Sequence, residues 1–445
     1  MPYLQIIANL MQYRDFKNRF NGSGFSDDQI RRKYIQIREA LEAPVSAVAV
    51  SAAGGGSTPA RTAPPSLRSW NKSPYTAADT QNLVSYVNYL DEVGGSFSDT
   101  IELVGSITGP STKFQGAIVA PNENIYFIPN GATAPAKFNV ATNEFSWLGG
   151  NWSATGPAGG ATGPIVSLSG TYHSGCLHPN GYIYGTPYQA NGIIRINPAT
   201  DTFDFVGATP SRIRCHGSVV APNGKIYFIP EDSYTDGAGI TYYWQYDPAT
   251  DAMNRFGATA AGGIGLFRGG VLAPNGYIYT LPRQSGYVAK INPETLEITT
   301  FGQGQFPGPG GPVLWRGGVL ASNGKIYGVP HGAQTVIEID PSTDTVVTFG
   351  TFASGGDKWA SGALAPNGKI YCFPFSASTV LEIDPATRTT REYGDLLGTS
   401  KWTNGIIHPN GYMYAAPNRA NSVLKLGSGG SLDPNYPLSR ELNNL

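Results

Sequence analysis

Long apolar runs, a charge excess and a secretion signal are all missing from this chain of 445 residues. The formal net charge is −1 and charged residues make up 14% of the sequence, so we expect no binding of nucleic acid. No stretch approaches the roughly 18 apolar residues of a membrane-spanning helix, which predicts no membrane insertion. Residues 1–7 lack the basic start and apolar core of a signal peptide, so we expect synthesis in a cytoplasm.

Cysteine and the common catalytic motifs are also scarce. The three cysteines, Cys176, Cys215 and Cys372, are far apart and show no Cys-x-x-Cys spacing, which predicts neither a metal site nor a disulfide framework. The chain has no G-x-S-x-G elbow, no H-E-x-x-H helix, no phosphate-binding loop and no calcium loop. We therefore expect no cofactor and no metal, and the sequence leans away from an enzyme.

One phrase recurs along most of the chain. Residues 221–230 read Ala-Pro-Asn-Gly-Lys-Ile-Tyr-Phe-Ile-Pro, and close variants occur six more times. Pro, Asn and Gly in succession favour a tight turn, and the alternating residues after it predict a strand that ends at the second proline. Each copy contains an asparagine followed four residues later by a tyrosine: Asn122, Asn180, Asn223, Asn275, Asn323, Asn367 and Asn410, with Tyr126, Tyr184, Tyr227, Tyr279, Tyr327, Tyr371 and Tyr414.

The rest of each unit adds a second turn and a last strand. Residues 246–251 read Tyr-Asp-Pro-Ala-Thr-Asp, and a short apolar strand follows such turns, as in residues 202–207. Four strands in roughly 40 to 50 residues are typical of one blade of a β-propeller. Seven copies of the phrase predict an all-β, seven-bladed β-propeller over residues 97–426.

The two ends of the repeat region predict how the ring closes. Residues 98–105 match the last-strand phrase of a blade but have no first three strands beside them. The seventh unit, at residues 403–426, lacks its own last strand. We therefore expect residues 98–105 to pair beside residues 422–426, as a clasp of three strands plus one that removes the exposed sheet edges.

The remaining segments are predicted to be a small helical N-terminus, a linker and a tail. Residues 1–43 indicate helices that act as an anchor, residues 44–70 a linker rich in Gly, Pro and Ala, residues 71–96 a further helix, and residues 427–445 a C-terminal tail. One helical stripe has too little chain beside it to form its own core, so we expect it to pack on another subunit or partner. Its residues are Ile30, Tyr34, Ile37 and Leu41.

A candidate ligand site lies where the first strand of each unit begins. In a propeller these starts share one face with the long, variable loops, here including residues 149–171, 231–239 and 302–314. The residues that alignment of the units places there are partly basic and partly aromatic. We consider two interpretations: the aromatic residues fill gaps between blades, or the set surrounds the channel mouth and binds a glycan or an acidic ligand. The candidate ligand-binding residues are His173, His216, Arg268, Arg316, Phe267, Trp315, Trp359 and Trp402.

The repeats over residues 97–426 resemble the seven-bladed propellers of the NHL and virginiamycin B lyase type. The phrase Ala-Pro-Asn-Gly-Lys-Ile-Tyr is also similar to repeats in propeller-bearing virion proteins of tailed phages. The lyase resemblance implies a catalytic histidine with a metal-binding acid on the variable face. His173 and His216 are the candidates, and we identify no acidic partner for them in the sequence.

Three functions fit these patterns, of which the least specific is a generic interaction scaffold. The first is a structural virion protein of a tailed phage, such as a tail fibre, an adhesin or a surface decoration, that displays the propeller for binding a host-surface glycan or protein. Its N-terminal helices would join other virion proteins or further copies of the chain, and its location would be the virion. The alternative is a propeller-fold lyase or hydrolase that acts at the channel mouth.

Overall fold

The computed structural model describes residues 97–110, 112–150, 172–190, 192–208, 213–231, 242–258, 266–308 and 313–428. These residues form 29 β-strands and, within the ranges just given, no helix. The predicted helices of residues 1–43 and 71–96, the linker of residues 44–70, and residues 429–445 of the predicted tail lie outside the described residues. In the described part of the chain, no helix is long and apolar enough to cross a membrane.

The strands come in successive units of four, and each unit contains one copy of the repeated phrase. The first two units and the two-residue strand between them are β2 Phe114–Val119, β3 Ile125–Pro129, β4 Ala136–Asn139, β5 Glu144–Trp147, β6 Gly149–Gly150, β7 Tyr172–Leu177, β8 Ile183–Ala190, β9 Ile193–Asn197 and β10 Thr202–Val206. The third and fourth are β11 Ile213–Val220, β12 Ile226–Pro230, β13 Tyr242–Asp247, β14 Ala252–Ala258, β15 Phe267–Leu272, β16 Ile278–Pro282, β17 Val288–Ile291 and β18 Ile298–Phe301.

Two further units and the last strands complete the set. The fifth and sixth units are β19 Trp315–Leu320, β20 Ile326–Pro330, β21 Val336–Asp340, β22 Thr345–Phe349, β23 Trp359–Leu364, β24 Ile370–Pro374, β25 Val380–Asp384 and β26 Thr389–Tyr393. The last sheet contains β27 Trp402–Ile407, β28 Met413–Pro417, β29 Val423–Leu426 and β1 Ile101–Val104.

The units are antiparallel sheets arranged in a closed circuit. Most of the sheets have four strands, and the second and third units are joined into one larger sheet where β11 pairs with β8. The first strands of successive units contact one another in the order β2, β7, β11, β15, β19, β23 and β27, and β27 contacts β2. Side chains near the starts of these strands are therefore brought around one common centre.

The predicted pairing of the two ends of the repeat region is confirmed. Strand β1 runs antiparallel to β29, with Ile101 opposite Leu426 and Val104 opposite Val423. Outside the strand pairing, the Arg391 guanidinium donates two hydrogen bonds to the Asp99 carboxylate, at 2.6 and 2.7 Å. Residues from the N-terminal side of the repeats therefore complete the sheet of the last unit and cover the edge of β29.

The repeated asparagine and tyrosine make the same hydrogen bond in every unit. In the third unit, Asn223 Oδ1 accepts a hydrogen bond from the Lys225 N–H at 3.1 Å, which stabilises the turn. Asn223 Nδ2 donates to the Tyr227 hydroxyl at 3.0 Å, and that hydroxyl donates to the Pro293 carbonyl of the next unit at 2.7 Å. The corresponding bond between asparagine and tyrosine is 2.7 to 3.0 Å long in all copies of the phrase. The phrase thus stabilises the hairpin and, here, its contact with the neighbouring unit.

Candidate functional site

Two sets of side chains meet where the first strands begin. The first set follows the residue that starts the pairing of each first strand: Gln115, His173, His216, Arg268, Arg316, Ala360 and Thr403. The second set follows the proline that lies opposite the start of each first strand: Asn130, Tyr188, Glu231, Arg283, His331, Phe375 and Asn418. Because the two strands are antiparallel, the start of one lies beside the end of the other, as Trp315 lies opposite Pro330.

Contacts across the ring show that the first set converges. Arg316 Nη2, from β19, donates a hydrogen bond to Gln115 Oε1, from β2, at 3.0 Å. Strands β2 and β19 stand three steps apart in one direction around the circuit and four in the other. The Arg316 side chain therefore reaches across the channel mouth to the opposite side of the ring.

The predicted residues His173, His216 and Arg268 gather around a buried carboxylate, Glu231. Arg268 Nε and Nη2 both lie 2.7 Å from Glu231 Oε1. His173 Nδ1 lies 3.5 Å from Glu231 Oε2, and the rings of His173 and His216 are 4.9 Å apart between centroids. Tyr188 stacks on His173 with a centroid distance of 3.5 Å. The structure thus supplies the acidic neighbour of His173 that the sequence analysis did not find.

The protonation states in this cluster follow from burial and neighbouring charges. Burial alone would raise the pKa of Glu231, but the close contact with His173 and the positive charge of Arg268 hold that pKa well below its usual range. Burial lowers the pKa of His173, and burial together with the charge of Arg316 lowers the pKa of His216 well below its ordinary value. At neutral pH the cluster therefore contains an ionised Glu231 and two neutral imidazoles.

Arg316 is a buried charge of the cluster with a donor that has no hydrogen-bond partner. The residue is 4% exposed, and its Nε is buried without a hydrogen-bond partner. Burial and the nearby charge of Arg268 lower the pKa of Arg316 to about 9. Its guanidinium lies 5.3 Å from the centroid of the Phe375 ring. Among the described residues, no carboxylate oxygen is within ion-pair distance of it.

A second histidine and acid pair stands at the edge of the cluster. His331 Nε2 lies 3.0 Å from Asp357 Oδ1, and His331 Nδ1 lies 2.8 Å from the Trp359 carbonyl. The hydrogen bond from His331 lowers the pKa of Asp357 to about 2. The Asp357 side chain is 59% exposed, so its charge is largely solvated and compensates the buried arginines only weakly.

The predicted aromatic residues lie elsewhere. Phe267, Trp315, Trp359 and Trp402 are buried in the hydrophobic core, each 3% exposed or less. The indole N–H groups of the three tryptophans donate to the carbonyls of Thr335, Thr379 and Ser422, each twenty residues later in the chain, at 2.7 to 2.8 Å. This is the packing interpretation of the aromatic residues, and their faces are not available for stacking on a sugar ring.

Three residues of the cluster have atoms placed to hold a metal ion. The potential ligand atoms of His173, His216 and Glu231 lie within 4.8 Å of one another, and all three residues are buried. Neutral imidazoles and a carboxylate are a common donor set for transition metals. However, Glu231 Oε1 already accepts from Arg268, and Arg283 Nε is 3.6 Å from the same oxygen. The surrounding guanidinium groups make the cluster electrostatically better suited to an anion than to a cation.

A narrow cavity of about 120 Å³ lies at the inner strands, lined in part by His216, Ser174 and Ser218. Glycines allow the strands to approach closely here. A Cβ on Gly217 would stand 2.8 Å from the Gly269 Cα, and Gly217 has a φ of +111°, which side chains disfavour. The long loops predicted to share this face lie partly or wholly outside the described residues.

Comparisons with known proteins identify the fold. No protein-family profile matches the chain, and no curated protein matches it. Among solved structures, streptogramin B lyase is similar with a TM-score of 0.57 and 14% identity, covering 74% of this chain and 97% of the lyase. A catalytically inactive variant of virginiamycin B lyase from Staphylococcus aureus, in complex with quinupristin, has a TM-score of 0.57 and 13% identity, covering 74% and 100%.

An extracellular domain of a hybrid two-component system from B. thetaiotaomicron is also similar, with a TM-score of 0.54 and 15% identity over 76% of this chain and 44% of that one. At these identities the likeness extends to the fold and not to activity. The described part of the chain is therefore all-β and repetitive, with the fold of a β-propeller.

Proposed function

We propose that the sheets are the blades of a seven-bladed β-propeller closed by the clasp of β1 on β29. The supporting observations are the repeated phrase, the closed circuit of first strands and the pairing of residues 101–104 with residues 423–426. A ring of this kind holds its central side chains rigidly, which reduces the entropy lost on binding a ligand.

We propose further that the propeller is a binding module whose ligand site is the charged cluster at the channel mouth. The observation that carries this proposal is the meeting of Arg316 and Gln115 across the ring, beside His173, His216, Glu231 and Arg268. Charged side chains are seldom buried together in this way for stability alone, because desolvation opposes it. A preformed polar centre at the middle of one face suits recognition of a ligand.

The biological setting we propose is the virion of a tailed phage, where the propeller binds a host-surface glycan or protein. The support comes from the sequence: a predicted helical anchor with an apolar stripe at Ile30, Tyr34, Ile37 and Leu41, a predicted linker and a display module. In this arrangement the N-terminal segment joins other virion proteins or further copies of the chain, and the propeller faces the host.

A paired substitution tests the binding site while removing one positive and one negative charge together. Replacing Arg268 and Glu231 together, as Arg268→Gln with Glu231→Gln, removes an ion pair from the cluster. A matched control removes the Arg195 and Asp204 pair on β9 and β10, as Arg195→Gln with Asp204→Asn. We expect the first double variant to lose binding to host cells or to a glycan array while remaining folded in a thermal melt. If the Arg268 and Glu231 double variant binds as well as the control does, the channel mouth is not the binding site.

A second candidate function is a lyase or hydrolase at the same place. The observation in its favour is the acid and base pairing of Glu231 Oε2 with His173 Nδ1 at 3.5 Å, with His216 adjacent. Because a structural neighbour is bound to quinupristin, incubation with that compound followed by liquid chromatography and tandem mass spectrometry is a direct test, since elimination within a ring changes retention and fragmentation but not mass. Product formation that is lost in His173→Ala would favour the enzyme, and unchanged retention and fragmentation would favour binding without this chemistry.

A further inference from the structure

The Arg316 guanidinium has more donors than the described residues satisfy. Its one hydrogen bond to a side chain goes to the neutral Gln115 amide, at 3.0 Å, and its buried Nε has no partner. An unsatisfied buried donor is costly, and a buried cation without an opposite charge costs more. Such an arrangement is stable in a folded protein when a ligand supplies the missing acceptors, or when the rest of the fold offsets the cost.

The other charges of the cluster do not provide those acceptors. Glu231 Oε1 is taken by Arg268, at 2.7 Å, and also faces Arg283, at 3.6 Å. Glu231 Oε2 faces His173, and Asp357 is mostly exposed and bonded to His331. Two guanidinium groups thus share one buried carboxylate, and the third, that of Arg316, has no carboxylate of the described residues within ion-pair distance.

Gln115 occupies the position that an anion would take. Its amide oxygen is neutral, and the side chain is partly exposed, so it can leave Arg316 at little cost. A carboxylate in its place would make charge-assisted hydrogen bonds, and its two oxygens match the planar fork of a guanidinium. The Phe375 ring on the guanidinium holds that fork in one orientation.

We propose that Arg316 is the recognition residue for a carboxylate group of the ligand, which binds by displacing the Gln115 amide at the channel mouth. This inference rests on the proposed binding function and specifies its ligand class, carboxylate-bearing molecules such as acidic sugars. His216 and Arg268 lie close enough to Arg316 to interact with it electrostatically, while the negative charge of Glu231 disfavours a second negative group in the ligand.

Galacturonate and galactose provide a matched pair of probes, because they differ in a carboxylate against a hydroxymethyl group. With the full-length protein, we expect isothermal titration calorimetry to detect sodium galacturonate and not galactose, and galacturonate to raise the melting temperature. Arg316→Gln should weaken galacturonate binding by about 10- to 100-fold. The control Arg195→Gln, at a partly exposed arginine of β9 outside the cluster, should bind as the wild type does. Equal binding of galactose, tighter binding of sodium sulfate, or full retention of binding by Arg316→Gln would overturn the inference.

Gln115→Glu tests the same idea without removing a buried charge. It places a permanent carboxylate at the Arg316 partner position, so we expect a higher melting temperature than the wild type and galacturonate binding at least about tenfold weaker. An unchanged affinity for galacturonate would contradict the displacement of Gln115.

Failure of the carboxylate inference can be distinguished from failure of the proposed binding function. If host-surface binding is lost in the Arg268 and Glu231 double variant yet neutral and acidic sugars bind alike, the carboxylate inference fails and the proposed binding function stands. If the wild type binds no host surface, the proposed function itself fails.

Discussion

The tyrosine of each repeated phrase is buried by apolar neighbours and yet carries a hydroxyl that needs partners. In the third unit, Tyr227 is fully buried, and its hydroxyl accepts from Asn223 Nδ2 and Gln245 Nε2 and donates to the Pro293 carbonyl. Burial raises the pKa of Tyr227, so the hydroxyl stays neutral and keeps its role as a donor. At the scale of a residue, the hydrogen bonds of the tyrosine hydroxyl therefore stabilise this unit in addition to the geometry of the turn.

Removing one such hydroxyl should be costly. Tyr227→Phe leaves the buried Gln245 amide and the Pro293 carbonyl without this partner, and we expect the free energy of unfolding to fall by about 1–3 kcal/mol in urea denaturation. Tyr182→Phe is the control, because Tyr182 is partly exposed beside Arg195, and its effect should stay within about 0.5 kcal/mol. Equal effects of the two substitutions would show that the hydroxyl network adds nothing to stability.

The clasp is the element that joins the two ends of the repeats. Ile101 packs on the core of the last units, Lys425 Nζ donates to Glu102 Oε2 at 3.1 Å, and the Gly427 N–H donates to the Thr100 carbonyl at 3.0 Å. Without β1, the edge of β29 would expose unpaired N–H and carbonyl groups. The stability of the ring therefore depends on a strand that precedes the first repeated phrase.

Two truncations separate the clasp from the segment before it. A chain that begins at residue 97 keeps β1 and the core clusters of the described residues, so it should unfold in one cooperative transition. A chain that begins at residue 106 lacks β1 and should melt at a lower temperature and aggregate on heating. Differential scanning calorimetry distinguishes the two, and identical melting of both truncations would argue against a stabilising clasp.

At the scale of the whole molecule, we assign assembly to the N-terminal segment and ligand binding to the propeller. The apolar stripe of Ile30, Tyr34, Ile37 and Leu41 belongs to the predicted anchor, whereas the charged cluster belongs to the propeller. Deletion of residues 1–43 should leave a folded protein that binds galacturonate as the full-length chain does. It should no longer be incorporated into virions, as measured by mass spectrometry of purified particles. Incorporation of the deletion variant at the normal level would contradict an anchoring role.

Local chemistry made the units and their closure predictable. Turn residues at fixed offsets, strand alternation and the unmatched last-strand phrase at residues 98–105 are properties of short stretches, so they could be read along the chain. The pairing of β1 with β29 followed because sheet edges need partners. His173, His216, Arg268 and Arg316 could also be identified, since aligning the units aligns the strand starts.

The composition of the site was decided by tertiary structure. Glu231 and Arg283 were missed although each directly follows the closing proline of its unit, a position that a second alignment across the units would have exposed. Phe267, Trp315, Trp359 and Trp402 share the strand starts with the basic residues, but their side chains enter the core. Alternation along a strand shows that neighbouring residues lie on opposite faces of the sheet. It does not show which face is exposed to solvent. The curvature of the closed ring alone determines that the basic residues face the centre and the aromatic ones pack within the core.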